Sequence, residues 1–198
     1  MQTSHLISDT VLALTGFFVF FSYLRKLDFN DTFLWESFVL SVAVAAVFGA
    51  IGYAGFTDFG WIGVFFQNVA TIVGALSLVA ASWYLVNNKM ISKNIAFGVI
   101  GLGIVLLILK LTLNIAIIST ITSVGCMIAI AGIAIYGIIK ANKTAGIWLL
   151  AAVIFAALAN FRGSFIADQS LAIDAYHYLL AVSLLCFGLA TSQIKSIV

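Results

Sequence analysis

The sequence is divided into seven long apolar runs by short connections that hold most of its charged residues. A membrane-spanning helix needs about 20 predominantly apolar residues, and most of the runs reach this length. Only 8% of the residues are charged, against about 25% in an ordinary globular domain, which excludes a soluble enzyme and a nucleic-acid-binding domain. We therefore expect an all-α integral membrane protein, a single bundle of seven transmembrane helices forming one domain over residues 1–198. The predicted spans cover residues 6–24, 33–56, 61–86, 95–109, 115–139, 145–161 and 171–192.

The basic residues predict how this bundle is oriented. Lysine and arginine accumulate on the cytoplasmic side of membrane proteins. With the N-terminus outside, the cytoplasmic side carries seven basic residues and the outer side two. This distribution predicts an outer N-terminus and a cytoplasmic C-terminus, and the short connections are typical of a prokaryotic plasma (inner) membrane protein. The cytoplasmic set is Arg25, Lys26, Lys89, Lys93, Lys140, Lys143 and Lys195, and the outer set is Lys110 and Arg162.

Polar residues are concentrated near the outer ends of the spans in this orientation. Polar groups are costly in hydrocarbon and mark functional sites, so the pattern predicts a polar pocket that opens to the outer face. Asp174 and His177 are three residues apart and share a helix face, where a carboxylate can orient an imidazole or help it to hold a metal. For Asp9 two interpretations stay open, an interfacial helix cap and a pocket wall. The predicted pocket residues are Tyr53, Asn68, Asp174 and His177, with Asp58 and Asp9 at the rim.

Motifs for several membrane chemistries are missing from the sequence. A retinal protein needs a lysine in the middle of its last helix, and the last predicted span has none. A bis-histidine haem needs two helical histidines, whereas the two histidines here are His177 and His5, which precedes the first predicted span. The sequence also lacks a nucleophile-elbow, zinc-protease or phosphate-binding glycine motif. Motifs therefore assign no reaction.

Two stretches of the sequence carry a resemblance to a known superfamily. They are Gly49 to Tyr53, with Asp58 soon after, and Asp174 to Ala181, which contains His177. In this layout the chain resembles the alkaline ceramidase and adiponectin-receptor superfamily of seven-helix membrane hydrolases. The resemblance implies a zinc-activated water, with zinc held by one histidine late in span two and by an H-x-x-x-H pair in span seven, beside Asp and Ser. Here Tyr53 and Ala181 stand at two of those three histidine positions, and a catalytic zinc usually takes three protein ligands, so the resemblance implies a member that has lost hydrolase chemistry.

Three functional hypotheses follow. The first is a non-catalytic binding, sensing or accessory subunit with an outer-facing polar pocket, which has the lipid bilayer and another membrane protein as partners. The second is a metal-dependent lipid hydrolase in which His177 and Asp174 bind zinc. The third is a carrier of a small solute, which the sequence favours least because the inner half of the spans offers few polar residues for an exit path. No nucleic acid is expected as a partner.

Overall fold

The structure is a computed structural model that describes residues 2–113, 115 and 117–193. Lys195 lies outside the described residues. Seven helices in this part are long and apolar enough to cross a membrane, which confirms the predicted number of spans. They are α1 (Gln2–Ser22), α2 (Phe29–Tyr53), α3 (Gly60–Val69, a π-helical Ala70–Gly74 and Ala75–Val86), α4 (Lys93–Leu113), α5 (Ile117–Lys140), α6 (Lys143–Phe161) and α7 (Gln169–Thr191).

Six of the seven described helices are longer than the apolar runs predicted, all except α5. Helix α1 begins at Gln2 rather than at residue 6, and α4 extends over 21 residues. An apolar run in the sequence marks only the part of a helix whose side chains are compatible with the hydrocarbon core of the membrane. At the start of α1, polar side chains continue the helix because partners on α7 satisfy their hydrogen bonds. As a consequence His5 is a helical, buried residue, and the expectation that it precedes the first span is wrong.

Six of the helices form a closed ring, in the order α1, α2, α3, α5, α6, α7 and back to α1. Helix α4 lies outside this ring and packs mainly on the π-helical segment of α3. Most side chains of α4 are exposed on the surface of the bundle, as expected of a helix that faces lipid. The ring encloses the interior of the protein, and α4 contributes only to its outer wall.

The two ends of the bundle differ in composition. At one end, Ser4 contacts Asp174 and the ring of His5 lies 5.0 Å from the ring of Tyr53; we call this the histidine end. At the other end, the backbone N–H of Asn142, between α5 and α6, donates to the carbonyl of Val86, the last residue of α3; we call this the basic end. Of the described basic residues, six lie at the basic end and two lie at the histidine end. The basic-end residues are Arg25, Lys26, Lys89, Lys93, Lys140 and Lys143.

Small residues set the distance between neighbouring helices. A Cβ atom on Gly146 of α6 would stand 2.6 Å from the carbonyl oxygen of Ala134 and 2.7 Å from the amide nitrogen of Ile138, both on the backbone of α5. Close backbone approach at glycine is a common way to pack helices in membranes. Small residues also pack inside the bundle on α3, where Ser77 and Ala81 are both buried.

Gly146→Ala is therefore expected to destabilise the protein. The clash involves backbone atoms that cannot swing away, and overpacking of this kind costs about 1–3 kcal/mol. Gly132→Ala on α5 is the matched control, because a Cβ atom there meets nothing within 4 Å. We expect a lower thermal unfolding midpoint in detergent micelles for Gly146→Ala and an unchanged or higher one for Gly132→Ala. Equal midpoints for the two variants would contradict the close crossing of α5 and α6.

Candidate functional site

A buried carboxylate, Asp174, holds α1 against α7 at the histidine end. One of its oxygens accepts a hydrogen bond from the hydroxyl of Ser4. The other lies 2.8 Å from Nδ1 of His5 and 2.8 Å from the hydroxyl of Ser8. Asp174 is only 7% exposed, and three donors are what a buried carboxylate needs to offset its lost hydration. We refer to Ser4, His5, Ser8, Asp9, Asp174 and His177 as the polar cluster.

The hydrogen bonds of Ser8 determine which nitrogen of His177 carries a proton. Besides Asp174, Ser8 Oγ lies 2.9 Å from Nδ1 of His177 and 3.1 Å from the carbonyl oxygen of His5. A carboxylate and a carbonyl only accept, and a hydroxyl has one proton to give. The Ser8 proton is therefore directed at these two acceptors, and Nδ1 of His177 donates to Ser8 Oγ.

With Nδ1 of His177 donating to Ser8, a further proton lies on the other side of the imidazole ring, between Nε2 and Asp9. His177 Nε2 lies 3.2 Å from an oxygen of Asp9. The contact is attractive only when a proton lies between the two atoms, carried either by the imidazole or by the carboxyl group. The His177–Asp9 pair therefore holds one shared proton, and both residues line the interior cavity.

The position of Asp9 depends on a glycine in the neighbouring helix. A Cβ atom on Gly49 of α2 would stand 2.4 Å from one carboxylate oxygen of Asp9. Only glycine leaves room for the Asp9 side chain between α1 and α2 while it contacts His177. The local sequence therefore contributes to the site in two ways. Asp9 provides the carboxylate on α1, and Gly49 provides the space for it on α2.

The cavity beside the polar cluster has a volume of about 530 Å³, within the usual range for small-molecule sites. Its wall near the histidine end is polar and includes Asp9, Tyr53, Gln67, Asn160 and His177. Deeper in the bundle the wall is almost entirely apolar. The deep lining includes Phe38, Val42, Leu78, Ile130, Leu180 and Phe187.

The structure brings together some of the residues that the sequence predicted as a pocket. Tyr53, Asp9 and His177 line the cavity, whereas Asp174 lies behind His177 in the polar cluster. Asn68 is not part of the lining, and its side-chain oxygen accepts a hydrogen bond from Lys110. Asp58 is exposed in a short 3₁₀ turn, Thr57–Phe59, outside the described lining.

Sequence reasoning missed Ser4, His5 and Ser8. Their signal was spacing, because Ser4 and Ser8 are four residues apart, as are His5 and Asp9, so all four side chains project from neighbouring positions on one face of α1. That signal was overlooked because Ser4 and His5 precede the predicted span, residues 6–24. In the described part of the chain, no group of three or more His, Cys, Asp or Glu residues is arranged to hold a metal ion. Zinc binding by His177 and Asp174 therefore stays a prediction.

The contact between Gly49 and Asp9 can be tested by substitution in two backgrounds. Gly49→Ala is expected to lower stability because its methyl group displaces Asp9 from His177. In an Asp9→Ala background the clash is gone, and the same substitution should be neutral or stabilising, since alanine favours a helix over glycine by about 1 kcal/mol. Thermal unfolding of the four variants in detergent measures this coupling. The same effect of Gly49→Ala in both backgrounds would contradict the contact.

Comparison with known protein families gives a match over nearly the whole chain. A family model described as a family of unknown function (DUF6962) matches residues 4–196. No curated protein and no solved structure matches the chain. The matched region contains all seven helices, the polar cluster and the cavity. The chain therefore belongs to the DUF6962 family.

Proposed function

We propose that this protein is a binding protein of the membrane that holds one amphiphilic small molecule inside its helical ring. The observation that carries the proposal is the cavity, which is apolar for most of its depth and polar at one end. An amphiphile has the same division between an apolar part and a polar group. The polar group would lie beside Asp9 and His177, and the apolar part would extend toward Phe38 and Phe187.

The dimensions of the cavity support a ligand with an extended apolar part. His177 and Phe187 both line the cavity and are ten residues apart on α7, which corresponds to about 15 Å along a helix. This is about half of the thickness of a bilayer core, roughly 30 Å. A ligand of this length would lie within the ring of helices.

Aromatic side chains separate this cavity from the basic end and favour binding over transport. The ring of Phe187 lies 6.0 Å from that of Phe38 and 5.9 Å from that of Trp35, and Trp35 is fully buried. A second cavity of about 600 Å³ lies beyond them and is lined by Lys26, Asp31 and Lys89 among others. A carrier would have to open this aromatic layer, whereas a binding or sensing subunit needs no such passage.

The distribution of charge supports an outer location for the binding site. Basic side chains crowd the end opposite the polar cluster, and the positive-inside tendency places that end in the cytoplasm. The histidine end would then face the outside of a prokaryotic plasma membrane. Binding there is compatible with a sensing role or with an accessory role beside another membrane protein.

Filling the cavity tests the proposal. A Cβ atom on Gly52 meets nothing within 4 Å, and Gly52 lines the cavity, so Gly52→Leu would place a side chain in the ligand's space without a backbone clash. We expect dansyl-labelled dodecanoic acid to bind the wild-type protein in detergent and to bind Gly52→Leu at least about tenfold more weakly, because about 1.4 kcal/mol of lost contact is a factor of ten. Fluorescence titration measures both affinities.

Gly101→Leu provides the matched control. Gly101 lies on α4, outside the ring, and a Cβ atom there also meets nothing within 4 Å. Its variant should bind the probe as the wild type does. Equal affinity in wild type, Gly52→Leu and Gly101→Leu would show that the probe partitions only into the detergent or the protein surface, and would overturn the proposal.

A further inference from the structure

A further series of hydrogen-bonding side chains starts in the polar cluster and ends at Ser170, in the first turn of α7. Ser170 Oγ lies 3.3 Å from Nε2 of His5, and Nδ1 of His5 lies 2.8 Å from the carboxylate of Asp174. Since the carboxylate accepts the Nδ1 proton, Nε2 is left as an acceptor for the Ser170 hydroxyl. Serine, imidazole and carboxylate thus stand in the order that activates a serine nucleophile.

We infer that Ser170, His5 and Asp174 form a nucleophile, a base and an orienting acid that together hydrolyse carboxylic esters at the histidine end. The topology explains how the three residues meet. Ser170 and Asp174 are four residues apart on α7 and share a face, and α1 inserts His5 between them.

Ser170 is the serine of this region that suits nucleophilic attack. It is half-buried, while His5 and Asp174 are each 7% exposed, so the hydroxyl is reachable and its base is shielded from water. Ser8 is fully buried, and its proton is directed at Asp174 and a carbonyl. The Ser4 hydroxyl donates to Asp174 rather than to a histidine.

The backbone around Ser170 offers donors for the negative charge that develops on the ester oxygen. The first N–H groups of a helix have no partner within it. In α7, Asp168 caps the N–H of Leu171 with its side chain and the N–H of Ala172 with its carbonyl. Within the described residues, the N–H groups of Gln169 and Ser170 make no such bond, and they lie at the end of the helix that favours an anion.

The reaction uses only the ester and water. Ser170 Oγ bonds to the ester carbonyl carbon while its proton moves to Nε2 of His5, and the bond to the alkoxy oxygen then breaks as that proton passes to the leaving alcohol. Water next attacks the acyl-serine and gives a proton to His5. The carboxylic acid leaves, and the proton returns to Ser170 Oγ.

This activity goes beyond the proposed binding function, and the two connect at Tyr53. Its ring lies 5.0 Å from the ring of His5, and Tyr53 also lines the cavity. An ester with a long acyl chain can therefore place that chain in the cavity. A preference for long chains would rest on the proposed binding function. A short ester needs only Ser170, His5 and Asp174.

Labelling with a fluorophosphonate probe tests the nucleophile directly. Full-length protein in detergent should be labelled, and peptide mass spectrometry should place the label on Ser170. Ser170→Ala should abolish the label, while Ser164→Ala, which removes an exposed serine of the connection between α6 and α7, should retain it. An unlabelled wild type, or equal labelling of Ser170→Ala, would overturn the inference.

The base can be tested by chemical rescue, which a merely structural role would not show. His5→Ala should lose labelling of Ser170 and regain it when imidazole is added, with circular dichroism confirming that the helices remain. Asp174→Asn should slow labelling, and Asp174→Glu should restore part of the rate because it restores the carboxylate. Failure of imidazole to rescue a folded His5→Ala variant would contradict the role of His5 as base.

Ester hydrolysis separates the two proposals. We expect hydrolysis of p-nitrophenyl acetate to fall at least about a thousandfold in Ser170→Ala and to be unchanged in Gly101→Leu, which lies outside the ring. Hydrolysis of p-nitrophenyl dodecanoate should fall in Ser170→Ala and in Gly52→Leu. Loss of activity in Ser170→Ala alone would support the nucleophile and contradict the cavity as a chain site. Probe binding without ester hydrolysis or labelling would support the cavity and overturn the nucleophile.

Discussion

The buried carboxylate of Asp174 is the interaction on which the histidine end depends. It accepts hydrogen bonds from Ser4, His5 and Ser8, all on α1, and so joins the first helix to the last. In the low-dielectric interior of a membrane protein, removing one of these partners leaves the remaining buried polar groups without the hydrogen bond that offsets their lost hydration. Asp174 orients His5 directly. Through Ser8, it also determines that Nδ1 of His177 carries a proton.

The cavity exists because the ring closes tightly at some points and not at others. Glycines bring backbones together where α5 meets α6, and Gly49 admits the carboxylate of Asp9 between α1 and α2. Beside this contact, the ring leaves about 530 Å³ of space. The π-helical segment of α3 lies on this wall, where Ala70 and Thr71 line the cavity, and such local changes of helix geometry are frequent at functional sites.

Much of the architecture was predictable, and the centre of the site was only partly so. Seven apolar runs predicted seven spans because hydrocarbon demands helices with continuous apolar surface, and the depth of polar residues pointed to His177, Asp9 and Tyr53. His5 was missed because hydropathy assigns a helix start to the first apolar residue, whereas partners on α7 extend α1 to Gln2. Asn68 was placed in the pocket by depth alone, since a linear sequence does not show that its oxygen faces Lys110.

We propose that an amphiphile lies inside the ring with its polar group at the histidine end. The most direct test is an experimental structure of the protein with dodecanoic acid that carries a bromine atom on its terminal carbon, in which anomalous scattering locates the bromine. We expect a bromine peak near Phe38 and Phe187, with the carboxyl group at the polar end of the cavity that Asp9, His177, Gln67 and Asn160 line. A bromine peak only on the lipid-facing surface, or beside Asp9 and His177, would contradict this placement.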